Sequence, residues 1–258
     1  MTVHNALREI FTLATPTDSA HNINDIQDIL VGRRANTVYK AAFSRDLGKA
    51  VTEPAFLRLA RELHIYMSSS AKSKTSFDSW HEGVCDAFLS ELNSSSPRQK
   101  KYGKAQKALN MGAKYLYCCE DTLPVSEQEK FDYFHIALDG YTYIENPTNY
   151  PLSFYRDVVI PWKYGHMPRG TVRSWSQLEK EDYWKAVKNV RDFFAVPQHS
   201  HTFNEYLNAC HTAGILTSIS PVPINEDRNL TPFEAEFFIW EICKKKSTVC
   251  FYGALLIY

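Results

Sequence analysis

The sequence predicts an all-α fold, or one very nearly so, and three observations carry that expectation. Apolar residues recur at three- and four-residue spacing in segment after segment. Helix start and stop residues punctuate those segments, with Thr, Ser, Asp or Asn ahead of them and Gly or Pro behind. Strand-like alternation is unconvincing, and only the apolar, β-prone tail TVCFYGALLIY offers a strand. Eight or more helices are expected. At 258 residues the chain can bury a substantial core; one domain over 1–258 is preferred, with two helical lobes as the alternative.

Taken in order, residues 4–31 read as two short helices parted by TPTDSAHN, with Asp18 and Asn22 as caps. Residues 55–67, AFLRLARELHIYM, place apolar side chains at 56, 57, 60, 63 and 67, the spacing of an amphipathic helix. A solvated loop, SSSAKSKTS, follows. From Phe77 to Leu92 the pattern is helical again, with Trp80, His81, Val84 and Phe88 sharing a side. Residues 145–173 are the most irregular part, with four prolines and the mixture WKYGHMPRGTVR, in which Trp162, Lys163, His166, Arg169 and Arg173 suit a substrate cleft. Ser176 and Glu179 form a capping box for a helix running to Phe194, which Pro197 stops. His199 and His201 lack the acidic or cysteine companions of a metal site. Residues 202–213 form a short helix ended by Gly214. The last clear helix opens with Thr231 as cap, Pro232 at the first position and Glu234 completing the box.

Composition narrows the function classes. Basic and acidic residues balance at 29 each, so no global field draws the protein to nucleic acid, and any such affinity must come from a local patch. Apolar residues make up 44% of the chain and aromatic residues 14%, which is globular rather than disordered. The six cysteines, Cys85, Cys118, Cys119, Cys210, Cys243 and Cys250, show neither CxxC pairing nor zinc-like spacing. Reduced thiols are expected, with no metal, iron–sulfur cluster or other cofactor. No run approaches the roughly 18 apolar residues of a membrane span, and no secretory leader pattern is seen. A soluble, cytoplasmic, monomeric protein is the expectation.

The stretch Tyr102–Tyr143 organises the rest. Ala105, Ala108, Leu109, Gly112, Ala113 and Leu116 form a small-residue apolar stripe on a helix, while Lys107, Asn110, Met111 and Lys114 fall on another face. A short apolar run, Phe134–Leu138, then delivers Asp139. A lysine and an aspartate are the minimum set for one specific chemistry. The amine attacks the anomeric carbon of a nucleotide as its base leaves, forming a Schiff base, and the carboxylate steadies the cationic sugar or deprotonates the amine. Such a lysine must be partly desolvated, which demands a pocket. Directly before Lys107 lies the densest basic run in the chain, with Arg98, Lys100, Lys101 and Lys104, suited to holding a DNA phosphate ahead of a helix N-terminus.

The arrangement Lys107-x6-Lys114 on a helix, with Asp139 following 32 residues after Lys107 behind the run HIAL, resembles the catalytic region of archaeal 8-oxoguanine DNA glycosylases, an outlying branch of the helix-hairpin-helix glycosylases. A second fragment fits: Glu236 lies four residues before Trp240, the spacing at which the family places an acidic residue and a base-stacking tryptophan. The resemblance implies a helix-hairpin-helix-like element and an active-site cleft between two helical layers. It assigns Lys107 and Asp139 to catalysis, and Lys114, Glu236 and Trp240 to base binding. Trp80 is a further candidate wall of the base pocket. Arg98, Lys100, Lys101, Gly103 and Lys104 take the place of the DNA-backbone hairpin. The partner would be double-stranded DNA with one base flipped out. Two features differ from the family's pattern: the glycine-rich hairpin signature is reduced to Gly103, and the interval between Asp139 and Glu236 is longer.

The implied function is therefore a DNA glycosylase, with a lyase activity permitted by the lysine nucleophile. Excision of a hypermodified base from foreign DNA would give it a role in antiviral defence. The alternative is a non-enzymatic helical module that binds nucleic acid or protein through its basic loop and aromatic segments.

Overall fold

A computed structural model of the chain describes residues 7, 49–69, 73–92, 100–119, 128–140, 142–143, 153–165, 174–196, 199, 205 and 229–244. The fold is all-α, with no strand among the described residues. Two compact units make up the chain: the first comprises residues 19–137 and 175–183, the second residues 1–18, 138–174 and 184–258.

In the first unit, α1 (Lys49–Ser68) packs on α2 (Lys74–Glu91), and α2 packs on α3 (Tyr102–Cys119). α1 begins ahead of the expected start at residue 55 and contains Pro54. Pro54 is the sixth residue of α1, so the Ala50 carbonyl goes without an N–H partner from position 54. Its buried face is Ala55, Phe56, Leu59, Ala60, Leu63, Tyr66 and Met67. α2 opens on Ser73, whose side chain accepts from the Ser76 N–H at 3.3 Å. It buries Phe77, His81, Val84, Cys85 and Phe88 at helical spacing. Phe77 meets Phe134 edge to face at 5.0 Å, and Phe56 meets Phe88 in the same way at 5.2 Å.

α3 departs from the two-faced helix its sequence predicts. Its apolar stripe is buried, and so are Gln106, Lys107, Asn110 and Lys114 on the opposite side. A helix enclosed all round gets no solvent for its polar groups, so those groups must find partners in the protein.

The second unit holds a π-helical turn, Tyr155–Val159, running into α4 (Ile160–Tyr164), together with most of α5 (Lys180–Ala195) and α6 (Pro232–Lys244). Helix therefore replaces irregular chain in the described part of 145–173. Pro161 is accommodated in the first turn of α4, and Gly165 ends that helix at φ 73°, donating its N–H to the Pro161 carbonyl at 2.8 Å. α5 carries Asn189, which donates to the Tyr155 hydroxyl at 2.8 Å and the Tyr164 hydroxyl at 3.3 Å. The expected capping box at Ser176 stands too early: Ser176 lies in a 3-10 turn, Trp175–Gln177, and α5 starts at Lys180. At α6 the expectation holds in detail, because Glu234 N donates to Thr231 Oγ1 at 3.3 Å while Thr231 N donates to Glu234 Oε2 at 3.0 Å. The expected helices at 4–31 and 202–213 and the apolar tail lie outside the described residues, apart from Leu7 and Glu205, each in a helical conformation.

Candidate active site

The first unit brings a distant piece of chain onto one face of α3, and Gly103 is what permits it. The Gly103 N–H donates to the Leu178 carbonyl at 3.1 Å. A Cβ at position 103 would lie 1.8 Å from the Trp175 carbonyl oxygen, closer than any side chain tolerates. With the backbones in this contact, the Trp175 ring covers Lys107, whose Nζ is 4.3 Å from the ring centre. A cation over an indole face is attracted by the ring quadrupole. Lys107 is only 8% exposed.

One turn further along α3 the same strip of chain closes a polar network at Tyr183. Its hydroxyl lies 2.5 Å from His135 Nδ1 and 3.2 Å from His81 Nε2, and it accepts from Asn110 Nδ2 at 3.3 Å. His135 Nε2 reaches the Asp78 carboxylate at 3.3 Å, and His81 Nδ1 is 3.8 Å from Cys85 Sγ. With Asp78 ionised, His135 carries its proton on Nε2 and accepts the Tyr183 O–H at Nδ1. The phenol then accepts from His81 Nε2–H, which leaves His81 Nδ1 to accept the Cys85 S–H. Burial pushes the Cys85 thiol far above its usual range, so the proton needed for that last step is present. Burial raises the neighbouring Tyr102 phenol as well. Every link has one donor and one acceptor, and the chain runs from a partly exposed carboxylate to a fully buried thiol.

The sequence-predicted site residues divide between the two units. Lys107, Lys114, Trp80 and the basic run belong to the first; Asp139, Glu236 and Trp240 belong to the second. Lys114 is 2% exposed. Trp80 is half-buried and stacks on Tyr66 at 4.4 Å, within the aromatic cluster around Phe77 and Phe134. In the basic run, Lys100 is exposed, Lys101 is ion-paired with Glu179, and Lys104 is buried beside Gly103 in the first turn of α3. Arg98 and the rest of the segment joining α2 to α3, residues 93–99, lie outside the described residues. Asp139 is buried, and its Oδ1 accepts from the Thr142 N–H at 3.1 Å and from Thr142 Oγ1 at 3.2 Å. That turn fixes the carboxylate. Glu236 is fully buried in α6, and Trp240, one turn on, is half-buried.

Of the cleft residues proposed in the irregular segment, Trp162 and Lys163 lie on α4, where Lys163 pairs with Asp192 at 2.8 Å; His166, Arg169 and Arg173 lie outside the described residues. His199 stacks on Phe193 at 4.3 Å rather than standing open for a metal. Among the described residues, no group of three or more His, Cys, Asp or Glu side chains is placed to hold a metal ion. No helix among them is long and apolar enough to cross a membrane.

Sequence reasoning missed Trp175 and Tyr183 as partners of α3, and with them the His81–Tyr183–His135 network. The available signals were weak: His81 falls on the apolar side of α2, and His135 opens the run HIAL. Compared with protein families, curated proteins and solved structures, the chain matches none.

Proposed function

We propose that the protein is a DNA glycosylase in which Lys107 supplies the attacking amine and Asp139 the carboxylate. The observation that carries this reading is the burial of Lys107: a lysine on the motif-bearing helix, withdrawn from water. Surface lysines on helices keep their charge in solvent, whereas an amine that must attack carbon needs the partial desolvation seen at this position. Asp139 supports the reading through its burial and its fixed orientation in the Thr142 turn.

In the proposed reaction the Lys107 amine, in its neutral form, forms a bond to C1′ of an extruded nucleotide, and Asp139 is assigned to steadying the developing positive charge. The N-glycosidic bond breaks, and the base leaves with the bonding pair and takes up a proton. Opening of the sugar then gives a protonated imine. Loss of a C2′ proton from that imine expels the 3′-phosphate, which is the lyase step. Lys114 is assigned to positioning the substrate, Trp240 and Trp80 to stacking, and Glu236 to accepting hydrogen bonds from the base. DNA is the partner, with modified foreign DNA as one source of substrate.

Borohydride capture tests the proposal, because the reductant converts the imine to a stable amine and leaves protein joined to DNA. Wild-type protein is expected to be captured on duplexes carrying modified bases, and Lys107→Gln is expected to lower capture at least about a thousandfold. Base release that survives both Lys107→Gln and Asp139→Asn would remove these roles.

A further inference from the structure

Asn110 lies one turn after Lys107 and one turn before Lys114 on α3, so the three side chains share a face of the helix. It is fully buried. Both of its amide protons are committed, since Nδ2 donates to Gln106 Oε1 and to the Tyr183 hydroxyl, each at 3.3 Å. The amide is not free to turn over. Gln106 gives its own nitrogen to the Gly103 carbonyl at 2.8 Å and therefore shows Asn110 only an oxygen. The Asn110 Oδ1 is thus fixed as an acceptor, and it has no hydrogen-bond partner among the described residues. Leaving a buried acceptor unpaired costs stability that an apolar residue of the same shape would not forfeit.

We infer, on the basis of the glycosylase reading, that Asn110 Oδ1 is a recognition acceptor for the extruded base and takes a hydrogen bond from a ring or exocyclic N–H of that base. The ligand chemistry follows from the orientation of the amide. Both donor hydrogens point at Gln106 and Tyr183, so the group offers nothing to an anion or to an acceptor edge. A neutral N–H is what satisfies it. The position follows from the helix: Lys107, which attacks the sugar carbon, stands one turn away, about 5 Å along the axis, the order of distance that separates a sugar carbon from the far edge of its base. Trp175 covers the lysine side of this face and is itself half-buried.

Two reactions of one variant test the inference. Base release needs both Lys107 and the recognition acceptor, whereas borohydride capture on a preformed abasic site needs Lys107 alone, there being no base to recognise. Asn110→Leu, apolar and near-isosteric, is expected to lower base release from modified duplexes about 10- to 100-fold while leaving abasic-site capture unchanged. Gln106→Met removes one acceptor that orients the amide; it is expected to lower base release by a smaller factor, and it replaces the first variant if a melting curve shows Asn110→Leu to be unfolded. Wild-type rates of base release in folded Asn110→Leu overturn the inference while leaving capture to speak for the glycosylase reading. Equal losses in both reactions also overturn it, because Asn110 then serves the lysine and not the base. Wild-type protein inert in both reactions overturns the glycosylase reading and this inference together.

Discussion

Helices α3 and α5 are 18 and 16 residues long, and they use lysine in opposite ways. On α5, Lys188 is 72% exposed and pairs with Asp192 one turn on, at 2.8 Å. Acidic residues occupy its first turn, and its inner face is apolar, with Tyr183, Ala186, Val187, Val190, Phe193 and Phe194 buried. On α3, Lys104, Lys107 and Lys114 are all nine-tenths buried or more, Gln106 and Asn110 are completely so, and no acidic residue stands in the first turn. The wheel positions of charged residues thus carry different meanings on the two helices. A wheel says which side chains stand together; the neighbour that covers them decides whether they meet water.

The comparison can be broken at its narrowest point. In an exposed first turn, replacing glycine by alanine is expected to stabilise a helix by up to about 1 kcal/mol. At Gly103 the new Cβ would collide with the Trp175 carbonyl, so Gly103→Ala is expected to destabilise the fold by about 3 kcal/mol, read from urea unfolding. A stabilised Gly103→Ala would mean that the Trp175 segment does not lie on α3. A smaller effect is expected at Tyr183, whose hydroxyl serves His81, His135 and Asn110 together. Removing it in Tyr183→Phe strands buried polar partners and is expected to cost about 2 kcal/mol in the same measurement.

The smallest effect belongs to α5. Hydrogen bonds from Lys163 and then Lys188 hold the Asp192 carboxyl below its usual range. Its folded pKa being depressed, the associated stability is present above the ordinary carboxylate range and is lost as pH falls through the folded value. Because all three groups are at least partly solvated, Asp192→Asn is expected to cost under about 1 kcal/mol at neutral pH, and to cost nothing once the carboxyl is protonated. Chemical unfolding at neutral and acid pH, with salt as a second variable, sharpens the contrast: the α5 pair is screened by salt, whereas the Tyr183 network is not.

Much of the helical framework was legible from residues alone. Thr231, Pro232 and Glu234 announced α6 because the capping box is a local device whose donors and acceptors lie within four residues. The inner faces of α1 and α2 followed from spacing in part: Phe56, Ala60, Leu63, Met67, His81, Val84 and Phe88 are buried as expected, whereas Leu57 and Trp80 are only half-buried and Leu59 and Tyr66 take the core positions on α1 instead. Ser176 misled for the same local reason: it has the form of a cap, but the chain around it is recruited to α3 and takes a 3-10 turn instead. Of the candidate site, the sequence singled out Lys107, Asn110 and Lys114 as one face of a helix, and all three are buried, together with Lys104 and Gln106, which that reading left out of the face.

What sequence by itself determined is the set of elements that depend on neighbours three or four residues apart: the helices, their caps and the all-α class. Tertiary structure alone decided that both faces of α3 are enclosed, that Trp175 covers Lys107, and that Tyr183 closes a proton-ordered chain between two histidines. Those outcomes join residues separated by 48 to 102 positions along the chain. No local propensity reports on such pairs, because the entropy of bringing them together is repaid only when the whole unit packs.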